Sequence, residues 1–162
     1  MSKPHVRRAR RGDAPAVVEM SKAPADWLGN KTPVIDEAAV LRNCFGRERW
    51  AHFLIATVDG AAVGYTIFCP TFEGHIGRRR IYMSDLFVRP ETRGSDAGRA
   101  LMAAVARHAI ANDCLAVTWE LWDQNTLGRT VYERMGCVVS EDVNSMHLEG
   151  EALAALAGGE VA

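Results

Sequence analysis

The 162-residue sequence contains no long uninterrupted apolar run, so no segment reads as a transmembrane helix. It has no excess of one charge: 19 Lys and Arg stand against 20 Asp and Glu, a formal net charge of -1. A strongly basic balance would point to nucleic acid, so nucleic-acid binding is not expected. Its four cysteines, Cys44, Cys69, Cys114 and Cys137, are far apart and form no C-x-x-C pair. That spacing suggests neither a zinc site nor a disulfide framework. Each sits among apolar residues and is read as a buried small hydrophobe in a reducing, cytoplasmic setting. No apolar core follows the basic start (Lys3, Arg7, Arg8, Arg10, Arg11), which reads as a solvated edge strand rather than a secretory signal or a nucleic-acid arm. His5, His52, His108 and His147 are scattered along the chain and are expected not to cluster, and no metal is expected.

What is present is ordinary for a globular protein, 48% hydrophobic and 24% charged, and long enough for one domain spanning residues 1–162. A strand is expected from His5 to Arg10, then a helix capped by Asp13 with Pro15 in its first turn. Ala23 to Pro33 holds two prolines, a glycine and an asparagine and reads as a loop or broken helix. Asp36 opens a second helix to Phe45. Phe53 to Val58, Asp59-Gly60 and Ala62 to Phe68 form a hairpin. Pro70 to Arg80 is read as a loop, Arg80 to Val88 as a strand, Pro90 to Gly94 as a turn. Leu101, Met102, Val105, Ala109 and Ile110 have helical spacing within Ala97 to Asn112. A strand from Leu115 to Trp122, a helix from Thr126 to Met135 ended by Gly136, strands at Cys137 to Val139 and Ser145 to Leu148, and a last helical turn from Glu149 complete the chain. The order predicts a mixed α/β domain with an antiparallel front half.

The chemistry concentrates between Asp85 and Arg99, where a strand runs into a turn that opens a helix. The first amides of such a helix lack intrahelical partners and carry partial positive charge, a geometry that holds phosphate or pyrophosphate. Gly94 and Gly98 would let the backbone approach a ligand, and Arg93 and Arg99 add charge. Glycine-containing strand-to-helix turns without a ligand are also common. No G-K-[ST] follows, so the turn is not a Walker loop, and the G-x-G-x-x-G dinucleotide spacing is missing.

The segment resembles the acyl-CoA-binding motif of the GNAT N-acetyltransferase superfamily, a strand followed by R-G-x-G-x-G or R-G-x-G-x-A. Asn125 to Gly136 is similar to a second family element, N-x-x-A-x-x-x-Y-x-x-x-G, with Gly128 at the usual alanine. The element order matches from His5 to Leu148. The nearest subgroup resembled is the diamine (spermidine/spermine) acetyltransferase-like proteins: Ile81 to Val88 is similar to their Y-L-E-D-L-Y-V, and Leu148 to Leu153 to their closing segment. The resemblance implies a mostly antiparallel sheet of six to seven strands, splayed at its centre and flanked by about four helices. It implies acetyl-CoA as co-substrate, a small primary amine as acceptor, no membrane partner and a homodimer.

The resemblance also implies residue roles. The backbone of Leu86, Phe87 and Val88 would pair the pantetheine arm as a further strand. The turn from Arg93 through Gly94, Ser95, Asp96, Ala97 and Gly98 to Arg99 would hold the pyrophosphate, and Asn125 would contact the cofactor. Tyr132 would meet the cofactor and protonate the departing sulfur. The amine must lose its proton before it attacks, because an ammonium has no lone pair.

Two positions depart from the family. Asp96 stands at the usual central glycine. A carboxylate there is unwelcome beside a pyrophosphate but can cap the helix, so weakened or altered cofactor binding is expected rather than none. Ser84 stands where the subgroup places a glutamate taken as general base. Strand alternation keeps the adjacent Asp85 from simply replacing it, and Asp85 is expected to support the site structurally, behind the residues that touch the substrate. Ser84 is expected to order a proton-carrying water, with Glu120 as another acceptor. Asp26, Trp27, Tyr82 and Asp85 are the substrate-side candidates. Trp50 and Trp122 are further cleft candidates, and Trp119 is read as core. His75 and Arg78 to Arg80 are expected to form a solvated rim. A catalytically impaired acyl-CoA-binding module and a protein N-acetyltransferase are the alternatives.

Overall fold

A computed structural model describes residues 2–27, 35–92, 94–140 and 145–158. It divides into two compact units, Met1–Glu120 and Leu121–Ala162.

The first unit is built on a five-stranded sheet in simple sequence order: β1 (His5–Arg8), β2 (His52–Val58), β3 (Ala61–Glu73), β4 (Arg78–Val88) and β5 (Cys114–Thr118). The first four strands pair antiparallel, and β5 joins β4 in parallel. The β2–β3 turn places Asp59 at φ 50° and Gly60 at φ 82°, the pair of left-handed residues a two-residue hairpin demands.

Both faces of the sheet are covered. Helix α3 (Ala97–Ala111) lays Ala97, Leu101, Val105 and Ala109 on Leu54, Ala56, Val63, Phe68, Ile81 and Met83. Helices α1 (Ala14–Trp27) and α2 (Glu37–Phe45) send Val17, Met20, Val40 and Cys44 onto Phe53, Ile55 and Tyr65 on the other face. β2 therefore buries both sides, Leu54 and Ala56 one way and Phe53 and Ile55 the other. Each aliphatic side chain buried in this way stabilises the fold by about 1.5–3 kcal/mol. Asp36 caps α2 by accepting the Ala39 N–H at 2.6 Å.

The structure corrects several expectations. Asp13 does not cap α1. It sits in a short 3-10 turn, where its carboxylate accepts the Arg10 N–H at 2.6 Å and both terminal nitrogens of Arg7 at 2.7 and 2.8 Å. Ala23 to Trp27 belongs to α1 rather than to a loop, because Pro24 removes only one helical N–H near the helix end. Residues 28–33 of that expected loop lie outside the described residues. β3 continues past Pro70 to Glu73 and pairs with Arg78–Ile81, so the expected loop is mostly a hairpin. Pairing to β2 ends at Phe68, so Pro70 lies where β3 has one neighbour and its missing N–H breaks no ladder.

Helix α4 (Thr126–Arg134) and helix α5 (Gly150–Gly158) form the second unit. Cys137–Val139 and Ser145–Leu148 are not strands, so the sheet of the described residues has five strands, not six or seven; the described residues form five α-helices, in keeping with the expected number of about four. Cys44 is buried as expected, whereas Cys69, Cys114 and Cys137 are only half-buried. His52 and His108 do meet, with ring centroids 5.2 Å apart and Phe68 against both. Among the described residues no group of three or more metal-ligating side chains occurs.

Candidate active site

β4 carries the site because its two edges end differently. β3 pairs it as far as Gly64↔Val88, whereas β5 pairs it only to Tyr82↔Thr118. From Met83 to Val88 the strand therefore has one edge without a β5 partner. The Arg89 N–H bonds to Val63 O at 2.8 Å, so alternation turns the backbone groups of Val88 towards that open edge. Leu86, Phe87 and Val88, the expected pantetheine contacts, all lie on this stretch.

A bulge interrupts the same strand. The register steps from Phe68↔Met83 to Ile67↔Asp85, leaving Ser84 as the extra residue. Met83 and Leu86 consequently pack on the α3 side, while Phe87 packs on the α1/α2 side. Asp85 falls on that second side, where Tyr65 meets it, and the extra residue Ser84 interrupts the strict alternation between Met83 and Asp85. The Ser84 hydroxyl is exposed and donates a long bond, 3.4 Å, to Ile67 O.

Asp85 is held from two directions. The Tyr65 hydroxyl donates to its Oδ2 at 2.6 Å, and the Thr66 hydroxyl donates to its backbone oxygen at 2.8 Å. Burial pushes the Asp85 carboxyl above its ordinary value, against the opposing pull of Tyr65 and the Leu86 amide. The Tyr65 phenol is raised as well, first by burial and then by the Asp85 charge. Sequence reasoning missed Tyr65, since only the β3–β4 register brings residues 65 and 85 together.

Tyr82 lies beside the opening between β4 and β5. Its phenol is raised by burial, then by the negative charge of Glu120 and by Cys69. Two candidates, Tyr82 and the exposed Glu120, are thus brought together. Trp119 packs against the α3-side core, as expected, while Trp50 and Trp122 are largely exposed. Arg80 pairs with Glu73 at the far end of the β3–β4 hairpin, and His75 approaches the same carboxylate at 3.5 Å. Asp26 and Trp27 end α1, and their side chains lie outside the described set.

The turn after β4 takes two left-handed residues, Gly94 at φ 86° and Asp96 at φ 61°, before α3 begins at Ala97. Aspartate is among the few side chains that accept this region, which is how Asp96 replaces a glycine here. In that conformation Asp96 makes no side-chain cap, so the expected capping role fails; its backbone oxygen still accepts the Ala100 N–H at 2.8 Å. Ser95 is 9% exposed, and its hydroxyl is buried with no partner among the described residues. The leading amides of α3, at Ala97, Gly98 and Arg99, have no acceptor within the helix. Gly94 needs its glycine for backbone reasons. Gly98 does not, since an added Cβ would stand 3.6 Å from Val88 Cγ2. Arg93 lies outside the described residues.

In the second unit, Asn125 caps α4 by accepting the Gly128 N–H at 2.9 Å. A Cβ on Gly128 would come within 2.6 Å of the Asn125 side chain, which explains glycine where alanine is usual. Tyr132 is half-buried on α4, and Gly136 ends the element at φ 87°.

Residues 17–137 match the family described as Acetyltransferase (GNAT) family. Thialysine N-epsilon-acetyltransferase of Sus scrofa is 28% identical over 94% of this chain and 96% of its own. L-ornithine N5-acetyltransferase of Arabidopsis thaliana is 30% identical over 60% of this chain and 43% of its own. An integron cassette protein from the mobile metagenome of V. cholerae superposes with TM-score 0.81 at 20% identity, covering 98% of this chain and 100% of that one.

Proposed function

The chain belongs to the GNAT acetyltransferase family, and from that premise we propose that it moves an acetyl group from acetyl-CoA to a primary amine of a small molecule by direct attack. The observation that carries the reading is the stretch of β4 beyond Tyr82, which β5 does not pair, running into the left-handed turn that opens α3. Leu86 and Val88, on either side of the β3-paired Phe87, offer backbone groups to the amide-rich pantetheine arm, as a neighbouring strand would. The Gly94–Arg99 turn, with Arg93 beside it, offers helix-terminal amides and the unpartnered Ser95 hydroxyl to the pyrophosphate. Bound acetyl-CoA supplies an activated thioester carbonyl.

The chain's own task is proton traffic and placement. An alkylamine with a pKa near 10 is neutral in only about one molecule in a thousand at pH 7, so a proton acceptor raises the reactive fraction. Ser84, exposed on the bulge, orders a water for that transfer, and Glu120 beside Tyr82 is the alternative acceptor. Tyr132 returns a proton to the leaving sulfur. Asp26, Trp27, Tyr82 and Asp85 line the amine's side. Asn125 contributes to the cofactor side in addition to capping α4.

The relatives' names specify transfer to the Nε of thialysine and the N5 of ornithine, which supports an amine at the end of a side chain as the acceptor class. The family match runs across the boundary between the two units, which supports one acetyltransferase domain over residues 1–162. A cytoplasmic homodimer completes the reading. Exposed apolar side chains such as Leu127, Val131, Met146 and Leu156 support the dimer. The exposed Asp96 carboxylate in the phosphate turn favours the second reading, an acyl-CoA-binding module with impaired catalysis.

Calorimetric titration with acetyl-CoA separates these. No binding at physiological cofactor levels would sink the enzyme reading. Binding followed by thiol release with a panel of diamines and diamino acids would support it, and binding without release from any amine would favour the impaired module. In Tyr132→Phe, turnover lost with cofactor affinity retained supports the acid role, and unchanged turnover rejects it.

A further inference from the structure

Arg89 is the first residue after β4, and every polar atom it has is engaged. Its N–H donates to Val63 O at 2.8 Å, and its own carbonyl accepts the Thr92 N–H and the Thr92 hydroxyl, each at 3.0 Å. Its Nε donates to Ala62 O at 3.0 Å. Its terminal nitrogens donate to the two carboxylate oxygens of Glu19 on α1, Nη1 to Oε1 at 3.2 Å and Nη2 to Oε2. One residue therefore ties together the start of β3, the end of β4, the short 3-10 turn Pro90–Thr92 and helix α1.

Stability does not account for this fork. The Glu19 side chain is 56% exposed, and ion pairs so open to water add little to folding while ordering two long side chains. What the fork adds is geometry. Val17 and Met20 hold α1 on the sheet by apolar contact, which is non-directional and sets a spacing more than a register. A bidentate guanidinium–carboxylate pair fixes distance and angle together. Asp26 and Trp27 lie about two turns further along α1, roughly 10 Å from Glu19. The turn that opens α3 begins just beyond Thr92. We infer that Arg89 and Glu19 are positioning residues, which hold α1, and with it the amine's side of the site, in fixed register with the turn that receives the cofactor. The inference rests on the acetyltransferase reading, in which the rate depends on the amine standing within bonding reach of the thioester carbon.

The test compares the wild-type chain with Glu19→Gln, Arg89→Gln and Arg89→Lys. Lys22→Gln is the control, since Lys22 also acts on Glu19 but lies outside the fork. Each is measured for thermal unfolding, acetyl-CoA affinity by calorimetry, thiol release with thialysine and ornithine, and hydrogen exchange in α1 with and without acetyl-CoA. The expected result is a kcat about tenfold lower in the three fork variants, with acetyl-CoA affinity within about twofold of wild type and Lys22→Gln unchanged. Acetyl-CoA slows exchange in α1 of the wild type and not in the fork variants. Arg89→Lys keeps the charge and loses the fork, so wild-type turnover in it or in Glu19→Gln overturns the positioning role and leaves the acetyltransferase reading in place. An equal fall in Lys22→Gln overturns it too, because the effect then follows the charge of α1. Acetyl-CoA binding without turnover in the wild type, with the slowed exchange lost in Glu19→Gln, keeps the role of the fork and sinks the catalytic reading. No binding of acetyl-CoA sinks both.

Discussion

The hydroxyl of Tyr65 on β3 donates a 2.6 Å hydrogen bond to Asp85 on β4, and both residues are largely withdrawn from water. The bond crosses the two strands next to the bulge at Ser84, so it braces the strand that carries the candidate site.

Tyr65→Phe removes the donor and leaves a buried carboxylate short of a partner. A loss of about 1–3 kcal/mol is expected at pH 7 by denaturant unfolding. The raised Asp85 carboxyl makes the folded chain bind more protons than the unfolded chain between its unfolded and folded pKa values, so this group's contribution to stability falls as pH rises through that window. Losing Tyr65 strengthens the penalty on the charged form. The cost of the variant is therefore larger at pH 7 than at about pH 4, and a cost independent of pH would argue against the assignment.

Asp96→Asn keeps a side chain that tolerates φ 61° and removes the charge from the turn that opens α3. Coenzyme A binding tightens about threefold to tenfold in low salt, with a smaller gain at high salt and an unchanged Tm. Weaker binding in the variant would mean that the carboxylate contributes to recognition rather than opposing it.

Gly64→Ala and Gly98→Ala are expected to diverge. A Cβ at residue 64 would meet the Phe87 carbonyl at 2.6 Å, and a backbone atom in the neighbouring strand yields little, so a loss of about 1–3 kcal/mol follows. At residue 98 the same atom has ordinary contacts and lies in a helix, so stability is unchanged or rises by up to about 1 kcal/mol. Urea unfolding of both variants decides it.

His52 and His108 are both depressed below the ordinary imidazole value. Burial is the main cause for each. Mutual repulsion and the charges of Arg8 and Arg49 add to it at His52, and Arg8 adds to it at His108. The unfolded chain then binds more protons than the folded one, so stability falls as pH drops through about 6.5 towards the depressed values. His108→Leu removes one member of the pair. The fall in Tm between pH 7.5 and 5.5 is smaller in the variant than in the wild type; equal falls would show that the pair does not govern acid sensitivity.

Much of the scaffold was legible because its signals are local. The Asp59-Gly60 turn, the Asp36 cap and the spacing of Leu101, Val105 and Ala109 each depend on a few neighbouring residues, and each stands in the structure. The strand-to-helix turn was legible for the same reason. Pro70 and Pro24 misled, because a proline's cost depends on whether its missing N–H had a partner, and that is settled by where β2 stops and where α1 ends. The meeting of His52 with His108 joins residues 56 positions apart in sequence, and no spacing rule reaches that far.

The amino-acid sequence by itself determined the mixed α/β class, the strand-to-helix turn between Asp85 and Arg99, and through them the family. Those properties rest on short-range periodicity and on residue types that demand particular backbone conformations. Tertiary structure alone decided that Ser84 is a bulge residue and that Tyr65 holds Asp85. Strand register and helix packing set those relationships, because they are fixed by the summed burial of two core layers rather than by any local run of residues.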